Sequence, residues 1–338
     1  MWMQDYPQAE ESPSAGGPLT IGDRLALARP RTRRLSLIRS RSAAQGLTAF
    51  ILAGGGNRGA VQVGMLSALV ERDIYPDFIL GTSVGALNGV GFAIDPSRAS
   101  LARLTELWLA TSRDTLFPPA RFGTAWRYAQ KRAFVYPNTS IERFLRDNVP
   151  ISDLSETALP VEVVATNAVT GEPLRISTGD PIKALLATTA LPGALPQIEM
   201  DGRFYIDGGI SDDIPLHRAA SLGANTIYVL LCGSMNRAGH TRSRPIEAVL
   251  ESFALAKLAR LRADIASLEG RVKVTVLEST AAQAVAWLDF TRSEHLIEEG
   301  YRETSKLLAV KPAAAPVKPG RLWAVPTPAP ALPLTSPY

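Results

Sequence analysis

The sequence predicts an α/β fold, a three-layer sandwich in which helices cover both faces of a mainly parallel central sheet. Two observations carry this prediction: strand-like segments alternate with helix-like segments, and the composition suits a buried core. The strand-like segments lie at about 48–53, 78–81, 161–167 and 226–232, and the helix-like segments at about 59–73, 84–94 and 214–222. With 46% hydrophobic and 20% charged residues, the chain resembles ordinary globular proteins in composition.

The first strand-like segment is followed by a glycine-rich turn, Gly54 to Gly59, with the sequence GGGNRG. Such a turn before a helix exposes backbone amides that can hold an oxyanion. Its first, third and sixth residues also fit the dinucleotide-binding pattern G-x-G-x-x-G, but that site needs a carboxylate after the second strand, and Asp77 precedes it. A P-loop fits less well, because Ala60 and Val61 stand where Lys and Ser or Thr are required.

The second strand-like segment, Phe78 to Leu80, leads into Gly81-Thr82-Ser83-Val84-Gly85, a G-x-S-x-G sequence. In this pattern a turn between a strand and a helix exposes a serine hydroxyl, and helix-like residues follow from Ala86 onward. The alternative is an ordinary tight turn in which Ser83 caps the helix. Together, the glycine-rich turn and this elbow would supply an anion hole and a nucleophile, the two parts of an acyl-transfer site.

Residues 98–148 are predicted to be helical and carry many aromatic side chains: Trp108, Phe117, Phe122, Trp126, Tyr128, Phe134 and Tyr136. These side chains either pack in the core, or line an acyl pocket and face a membrane as a cap over Ser83. Residues 247–269 predict a long amphipathic helix that packs on the core through Leu250, Phe253, Leu261, Ile265 and Leu268. The single cysteine, Cys232, is expected to be buried.

A short strand is predicted at Phe204 to Ile206, and it ends in Asp207-Gly208-Gly209. The two glycines allow a sharp turn and the close approach of a reactant, which would suit a catalytic aspartate. The alternative is a hairpin turn, for which Asp-Gly is a common sequence. With the usual aspartate pKa of about 3.9, Asp207 would be a weak base, but burial beside an apolar acyl pocket would raise that pKa.

A serine nucleophile needs a group that takes its proton, and the chain has three histidines, His217, His240 and His295. Each is predicted to be solvated or to cap a helix. A Ser-Asp-His triad could be assembled from Ser83, Asp207 and either His240 or His295, but no local signature favours it. Asp207 is the stronger candidate for the base.

Four segments, in this order, resemble the motifs of the patatin-like phospholipases, which use a Ser-Asp dyad. They are Gly54 to Gly59 (G-G-G-x-R-G), Gly81 to Gly85 (G-x-S-x-G), Ala187 to Gly193 (A-S-x-A-x-P-G) and Asp207 to Gly209 (D-G-G/A), followed by Asp213-Ile214-Pro215. Thr188 and Thr189 stand where the family more often has serine, a departure expected to have little consequence. The resemblance covers about residues 47–232, with a helical continuation to about 310, and implies a patatin-like fold.

This resemblance implies a lipid acyl hydrolase of the phospholipase A or lysophospholipase type, which cleaves carboxylic esters through an acyl-serine intermediate. Ser83 would be the nucleophile and Asp207 the base, with Gly208 and Gly209 as the base-loop glycines. The oxyanion hole would be formed within Gly54, Gly55, Gly56, Asn57 and Arg58, chiefly by backbone amides. Arg58 would steady this loop or meet a lipid phosphate. No metal or cofactor is implied.

The two ends of the chain differ from its middle in composition. Residues 1–46 hold seven arginines against four acidic residues, and residues 311–338 hold eight prolines, three basic residues and no acids. Since the formal net charge is +4, the remaining residues carry −2. We therefore expect a disordered basic segment at 1–46, a patatin-like catalytic domain at 47–310 and a disordered Pro-rich tail at 311–338.

The arginine-rich segment predicts transient contact with an anionic membrane surface, where a phospholipid or lysophospholipid substrate would be found. Nucleic-acid binding is not expected, because the central part is slightly acidic. No signal-peptide core and no apolar run of 18 residues is visible, which predicts a cytoplasmic protein, peripheral at a membrane. The oligomeric state is not predicted. Two alternatives stay open: an esterase with a histidine triad, and a lipid-binding protein without turnover.

Overall fold

The computed structural model describes residues 46–118, 134–235, 245–286 and 288–309, and for residues 245–251 it describes the backbone alone. The basic segment up to residue 45, the Pro-rich tail, Phe122, Trp126, Tyr128, His240 and the side chain of Leu250 lie outside the described residues.

A central sheet organises the fold. Within the described residues its strands are β1 (Leu47–Leu52), β2 (Phe78–Thr82), β3 (Val161–Asn167), β4 (Pro173–Ile176), β5 (Ile198–Met200), β6 (Arg203–Asp207), β7 (Ala224–Leu230) and β8 (Lys273–Leu277). The strand order is β5-β6-β3-β2-β1-β7-β8, and β4 pairs with β3. The pairs from β3 through β2, β1 and β7 to β8 are parallel, whereas β4, β5 and β6 pair antiparallel.

Helices cover both faces of this sheet. They are α1 (Ala60–Glu71), α2 (Val84–Ile94), α3 (Arg98–Ala110), α4 (Arg113–Leu116), α5 (Thr139–Asn148), α6 (Pro181–Thr189), α7 (Leu216–Ser221), α8 (Pro245–Leu268) and α9 (Ser293–Ala309). Alternate residues of β1 point to opposite faces: Phe50 and Leu52 pack with α1, α2, α3, α5, α6 and α9, and Ala49 and Ile51 pack with α7 and α8. The predicted three-layer sandwich with a mainly parallel sheet is therefore confirmed.

Two details of the predicted secondary structure are wrong, and one alternative does not apply. The expected helical continuation to about 310 is interrupted by β8, which extends the parallel sheet beside β7. Residues 98–148 are not helical throughout, because Phe134 forms an isolated bridge with Gly193. The hairpin signal Asp-Gly applies to Asp201 and Gly202, which join β5 to β6 with positive φ angles of 51° and 72°. At Asp207 and Gly208 the chain instead enters a 3-10 turn, Gly208–Ile210.

The long helix predicted at 247–269 is observed as α8, but its packing is only partly as expected. Leu261 and Leu268 are buried beneath the sheet, whereas Phe253 is 47% exposed. Phe253 lies at the edge of a cavity rather than in the core.

Candidate active site

Ser83 occupies a tight elbow between β2 and α2. Its backbone has φ 53° and ψ −128°, a region that residues with a side chain rarely adopt and that is found where function requires it. This conformation turns the hydroxyl out of the strand, as the G-x-S-x-G pattern predicts. The Oγ atom of Ser83 donates a hydrogen bond to Oδ2 of Asp207 at 2.7 Å.

Strand register brings Asp207 to this serine. Thr82, at the end of β2, pairs with Val164, and the next residue of β3, Ala165, pairs with Asp207 at the end of β6. Gly208 then passes so close to β3 that an added Cβ atom would lie 2.1 Å from the carbonyl oxygen of Val164. A residue with a side chain would displace this loop, and the aspartate with it.

The carboxylate of Asp207 is buried, with 6% of the residue exposed. Burial raises its pKa from 3.8 to about 6, although the charge of Lys257, the hydroxyl of Ser83 and the amide of Gly209 each lower it. The Gly209 amide donates to Oδ1 at 2.8 Å, so Oδ2 is the atom that faces Ser83. A carboxylate with a pKa nearer to neutrality is a better proton acceptor than an exposed aspartate.

The glycine-rich turn forms a 3-10 turn, Gly56–Gly59, that runs into α1. The first amides of such an element lack partners within it and can face an anion. The predicted oxyanion hole is too broad at one end, however, because the Gly54 amide donates to Oδ1 of Asp213 at 3.0 Å. The candidate donors are therefore the amides that follow, from Gly55 onward.

Side chains of the same turn hold it in place. The side-chain amide of Asn57 donates to the carbonyls of Ala286 and Asp289, at 3.0 and 2.9 Å, and is thus occupied, so its backbone amide alone remains a candidate oxyanion donor. The Nε atom of Arg58 donates to the carbonyl of Gly55 at 3.4 Å, which agrees with the expectation that Arg58 steadies the loop.

Buried amide side chains fix the turn from below. Gln62 donates to the carbonyls of Ala53 and Leu230, and Asn88 donates to Gln62 and to the carbonyl of Gly59, all at 2.8 to 3.0 Å. The indole of Trp108 completes this network by donating to Asn88 at 2.9 Å. A satisfied buried network specifies one arrangement of the loop.

Thr188 contacts the serine elbow, a role that its motif alone does not indicate. This fully buried residue of α6 accepts a hydrogen bond from the Ser83 amide at 2.8 Å and donates to the carbonyl of Val164. One hydroxyl thus ties the elbow to β3. The motif resemblance of Ala187 to Gly193 does not show which of its two threonines faces the serine.

We expect Thr188→Val to lower the free energy of unfolding, because the similarly shaped side chain leaves the part-buried Ser83 amide without its acceptor. Such a loss costs about 1–3 kcal/mol. Chemical denaturation measures this effect. Thr188→Ser keeps the hydroxyl and should stay close to wild type. Equal losses in both variants would contradict this role.

An apolar cavity of about 360 Å³ opens at Ser83 and Asp207. Its apolar walls include Leu87 of α2, Leu104 and Leu107 of α3, and Ile141 and Phe144 of α5. Trp108 and Phe117 also line it, whereas Tyr136 packs edge-on against Phe117 at the margin of the core. Among these three described residues, Trp108 and Phe117 pack on the core and also line the cavity, and Tyr136 packs on the core alone.

The competing sequence interpretations fare differently. Asp77 bonds to the Thr48 amide at the start of β1, away from the strand ends that carry the glycine-rich turn, which argues against a dinucleotide site. His217 is 57% exposed and pairs with Asp264, and His295 is exposed on α9, so both lie outside the cavity. Cys232 is buried as expected, and burial raises its pKa to about 12.

In the described parts of the chain, no three His, Cys, Asp or Glu residues gather as a metal site. None of the described helices is long and apolar enough to cross a bilayer.

The mainly parallel sheet, with helices on both faces, places the chain among the α/β proteins, and its serine elbow donates a hydrogen bond to a buried aspartate. Residues 50–220 match the patatin family, described as patatin-like phospholipase. Because that match covers half of the chain, the protein belongs to the patatin-like phospholipases, as its motifs predicted.

Among curated proteins, the chain is 29% identical over 193 residues to lysophospholipase nte1 of Aspergillus terreus, which is 55% of this chain and 12% of that protein. It is 29% identical over 196 residues to patatin-like phospholipase domain-containing protein 7 of Rattus norvegicus, 55% of this chain and 14% of that protein. The chain thus spans a small part of each relative. VipD from Legionella pneumophila, a solved structure, shows 14% identity and a TM-score of 0.40, over 78% of this chain and 67% of that one.

Proposed function

We propose that this protein is a lipid acyl hydrolase of the phospholipase A or lysophospholipase type, in which Ser83 is the nucleophile and Asp207 the base. The observation that carries the proposal is the 2.7 Å hydrogen bond from Ser83 to Asp207 at the opening of an apolar cavity. The family and the names of its curated relatives, a lysophospholipase and a patatin-like phospholipase domain protein, support a lipid ester as substrate.

In the first step, Oγ of Ser83 attacks the ester carbonyl while its proton passes to Oδ2 of Asp207. The carbonyl oxygen becomes an oxyanion, held by the amides from Gly55 onward, and one such donor is worth about 2.7–4 kcal/mol of barrier. The C–O bond then breaks, and the leaving alcohol takes the proton from Asp207. Water then gives a proton to Asp207 and attacks the acyl-serine, the fatty acid leaves, and Asp207 returns the proton to Oγ of Ser83.

The cavity supports an acyl chain as the group held during this reaction. Its walls are apolar, and its volume of about 360 Å³ is within the range of small-molecule sites. Ile210 and Phe253, at the edge of the cavity, are 40% and 47% exposed. Exposed apolar side chains beside the opening favour contact with the surface of a lipid aggregate.

Leu107→Trp should reduce kcat/KM for long-chain esters by about tenfold or more, because the indole fills the wall against which the chain packs. Short-chain esters should be affected much less. The measurement is fatty-acid release from phospholipids, lysophospholipids and neutral esters of graded chain length. Leu109→Trp is the matched control, since Leu109 lies on the same helix, is 51% exposed and does not line the cavity.

Equal losses of kcat/KM for long-chain and short-chain esters would contradict the proposal that the cavity holds the acyl chain. A folded wild type that releases no fatty acid from any of these substrates would favour the alternative of a lipid-binding protein without turnover. A severe loss on replacing one histidine, with folding intact, would favour the histidine triad.

A further inference from the structure

Lys257 extends from α8 into the candidate active site. Its Nζ atom lies 3.2 Å from Oδ1 of Asp213, and 30% of its side chain is exposed. The lysine lines the cavity that opens at Ser83 and also an adjoining smaller pocket of about 120 Å³. Nothing in the proposed reaction uses this ammonium group, although it is held beside the reacting atoms.

Asp213 joins this lysine to the glycine-rich turn. The same Oδ1 atom that contacts Lys257 accepts the hydrogen bond of the Gly54 amide at 3.0 Å. Asp213 is 8% exposed, so the pair is shielded from solvent on this side. A buried carboxylate with two such partners holds both elements, α8 and the turn, at fixed positions.

Gly209 is the point at which the charged groups meet. A Cβ atom added there would lie 3.0 Å from Oδ1 of Asp207, 3.0 Å from Nζ of Lys257 and 3.1 Å from Oδ1 of Asp213. These three atoms are therefore no more than about 6 Å apart, a range in which charges alter each other's ionisation. The absence of a side chain at Gly209 allows this convergence.

We propose that Asp213 and Lys257 form a positioning pair for the reaction, in which Asp213 ties the Gly54 turn to Lys257 of α8 and the two charges beside Asp207 set its ionisation. This inference deepens the proposed function and rests on it for its catalytic meaning. Neither residue is assigned contact with the substrate. The pair acts through Asp207 and through the position of the turn that carries the oxyanion donors.

The charges around Asp207 shift its pKa in defined directions. Burial raises the pKa of Asp207, the Lys257 ammonium on α8 lowers it, and the Asp213 carboxylate raises it. The Ser83 hydroxyl and the Gly209 amide also lower it. Arg58 faces the same cavity from the glycine-rich turn.

The ammonium of Lys257 is held in its charged form. Burial alone would lower its pKa, but the carboxylates of Asp213 and Asp207 outweigh that effect and raise it. Removing the charge of Lys257 and removing the charge of Asp213 should therefore move the ionisation of Asp207 in opposite directions.

The test compares Lys257→Met, Lys257→Arg and Asp213→Asn in the full chain, using the pH dependence of kcat/KM with a soluble neutral ester. Lys257→Met should move the acidic limb of this profile, the rise of kcat/KM as Asp207 ionises, to higher pH by about 1 unit or more. At pH values below the limb, kcat/KM should fall by about tenfold. Asp213→Asn, which retains an acceptor for Gly54, should move the limb downward. Lys257→Arg should restore the wild-type limb. An NMR titration of the Asp207 carboxyl gives a second readout that needs no turnover.

The inference would be overturned if the acidic limb of the pH profile of kcat/KM stayed in place in these variants, or moved in the same direction in Lys257→Met and Asp213→Asn. Either result would leave the proposed function standing. A wild type that neither hydrolyses esters nor reacts with a fluorophosphonate probe at Ser83 would instead overturn the proposed function. In that case the carboxyl titration still decides whether the pair controls Asp207, since opposite shifts support it and unchanged titration refutes it.

Discussion

Ser83→Ala is expected to lower kcat for ester hydrolysis by about 10⁴-fold or more, because the acyl intermediate cannot form once the Ser83 hydroxyl is absent. The remaining amides and the cavity can still bind the ester, so KM should change far less than kcat. Fatty-acid release under saturating substrate measures the loss, and mass spectrometry of a fluorophosphonate adduct locates the reactive serine.

Folding should survive this substitution. Alanine and serine both carry a Cβ atom, so the strained backbone at φ 53° is no less accessible to the variant. Ser221→Ala, at an exposed serine on α7 whose hydroxyl bonds to the Arg218 carbonyl, is the matched control and should keep full activity. Activity in Ser83→Ala, or an adduct on another serine, would show that the nucleophile lies elsewhere.

The sequence predicts that the glycine-rich turn and the serine elbow lie together, because both follow parallel strands. The turn after β1 and the elbow after β2 must meet at one edge of the sheet, since Ile51 pairs with Leu80 in adjacent parallel strands. Asp207 could be suspected from its glycines, but not placed. The position of Asp207 along the sheet depends on the antiparallel register of β6 with β3, which a short sequence pattern does not encode.

Side chains that reach the site from distant helices were harder to predict. Lys257 lies on the same side of α8 as Phe253 and Leu261, at spacings of four residues, and a charged residue within an apolar stripe indicates a buried partner. That signal was present in the sequence but does not name Asp213. The sequence gives no signal that singles out Thr188, because either threonine of its motif could face Ser83.

Asp207→Asn is expected to reduce kcat by about 10³-fold or more, because the amide can hydrogen-bond to Ser83 but cannot take its proton. In the wild type, activity should rise with pH through about 6, the pKa of Asp207, as the carboxylate forms. The variant should lack this limb. Asp201→Asn, at an exposed aspartate in the β5–β6 turn, is the matched control and should behave as wild type. Unchanged activity in Asp207→Asn would refute the dyad.

The same substitution should have the opposite effect on stability. Because the pKa of Asp207 is raised from 3.8 to about 6 by folding, the folded state binds more protons between these values, and its free energy of unfolding falls as pH rises through that window. Above about pH 6 the full cost of the buried carboxylate, about 1–3 kcal/mol, is present. Asp207→Asn removes this charge and should unfold at a higher denaturant concentration than wild type at about pH 8, with the difference shrinking toward pH 4. If Asp207→Asn is both more stable than wild type and inactive, the buried charge is retained for catalysis and not for stability. A variant that is less stable than wild type at both pH values would contradict this reasoning.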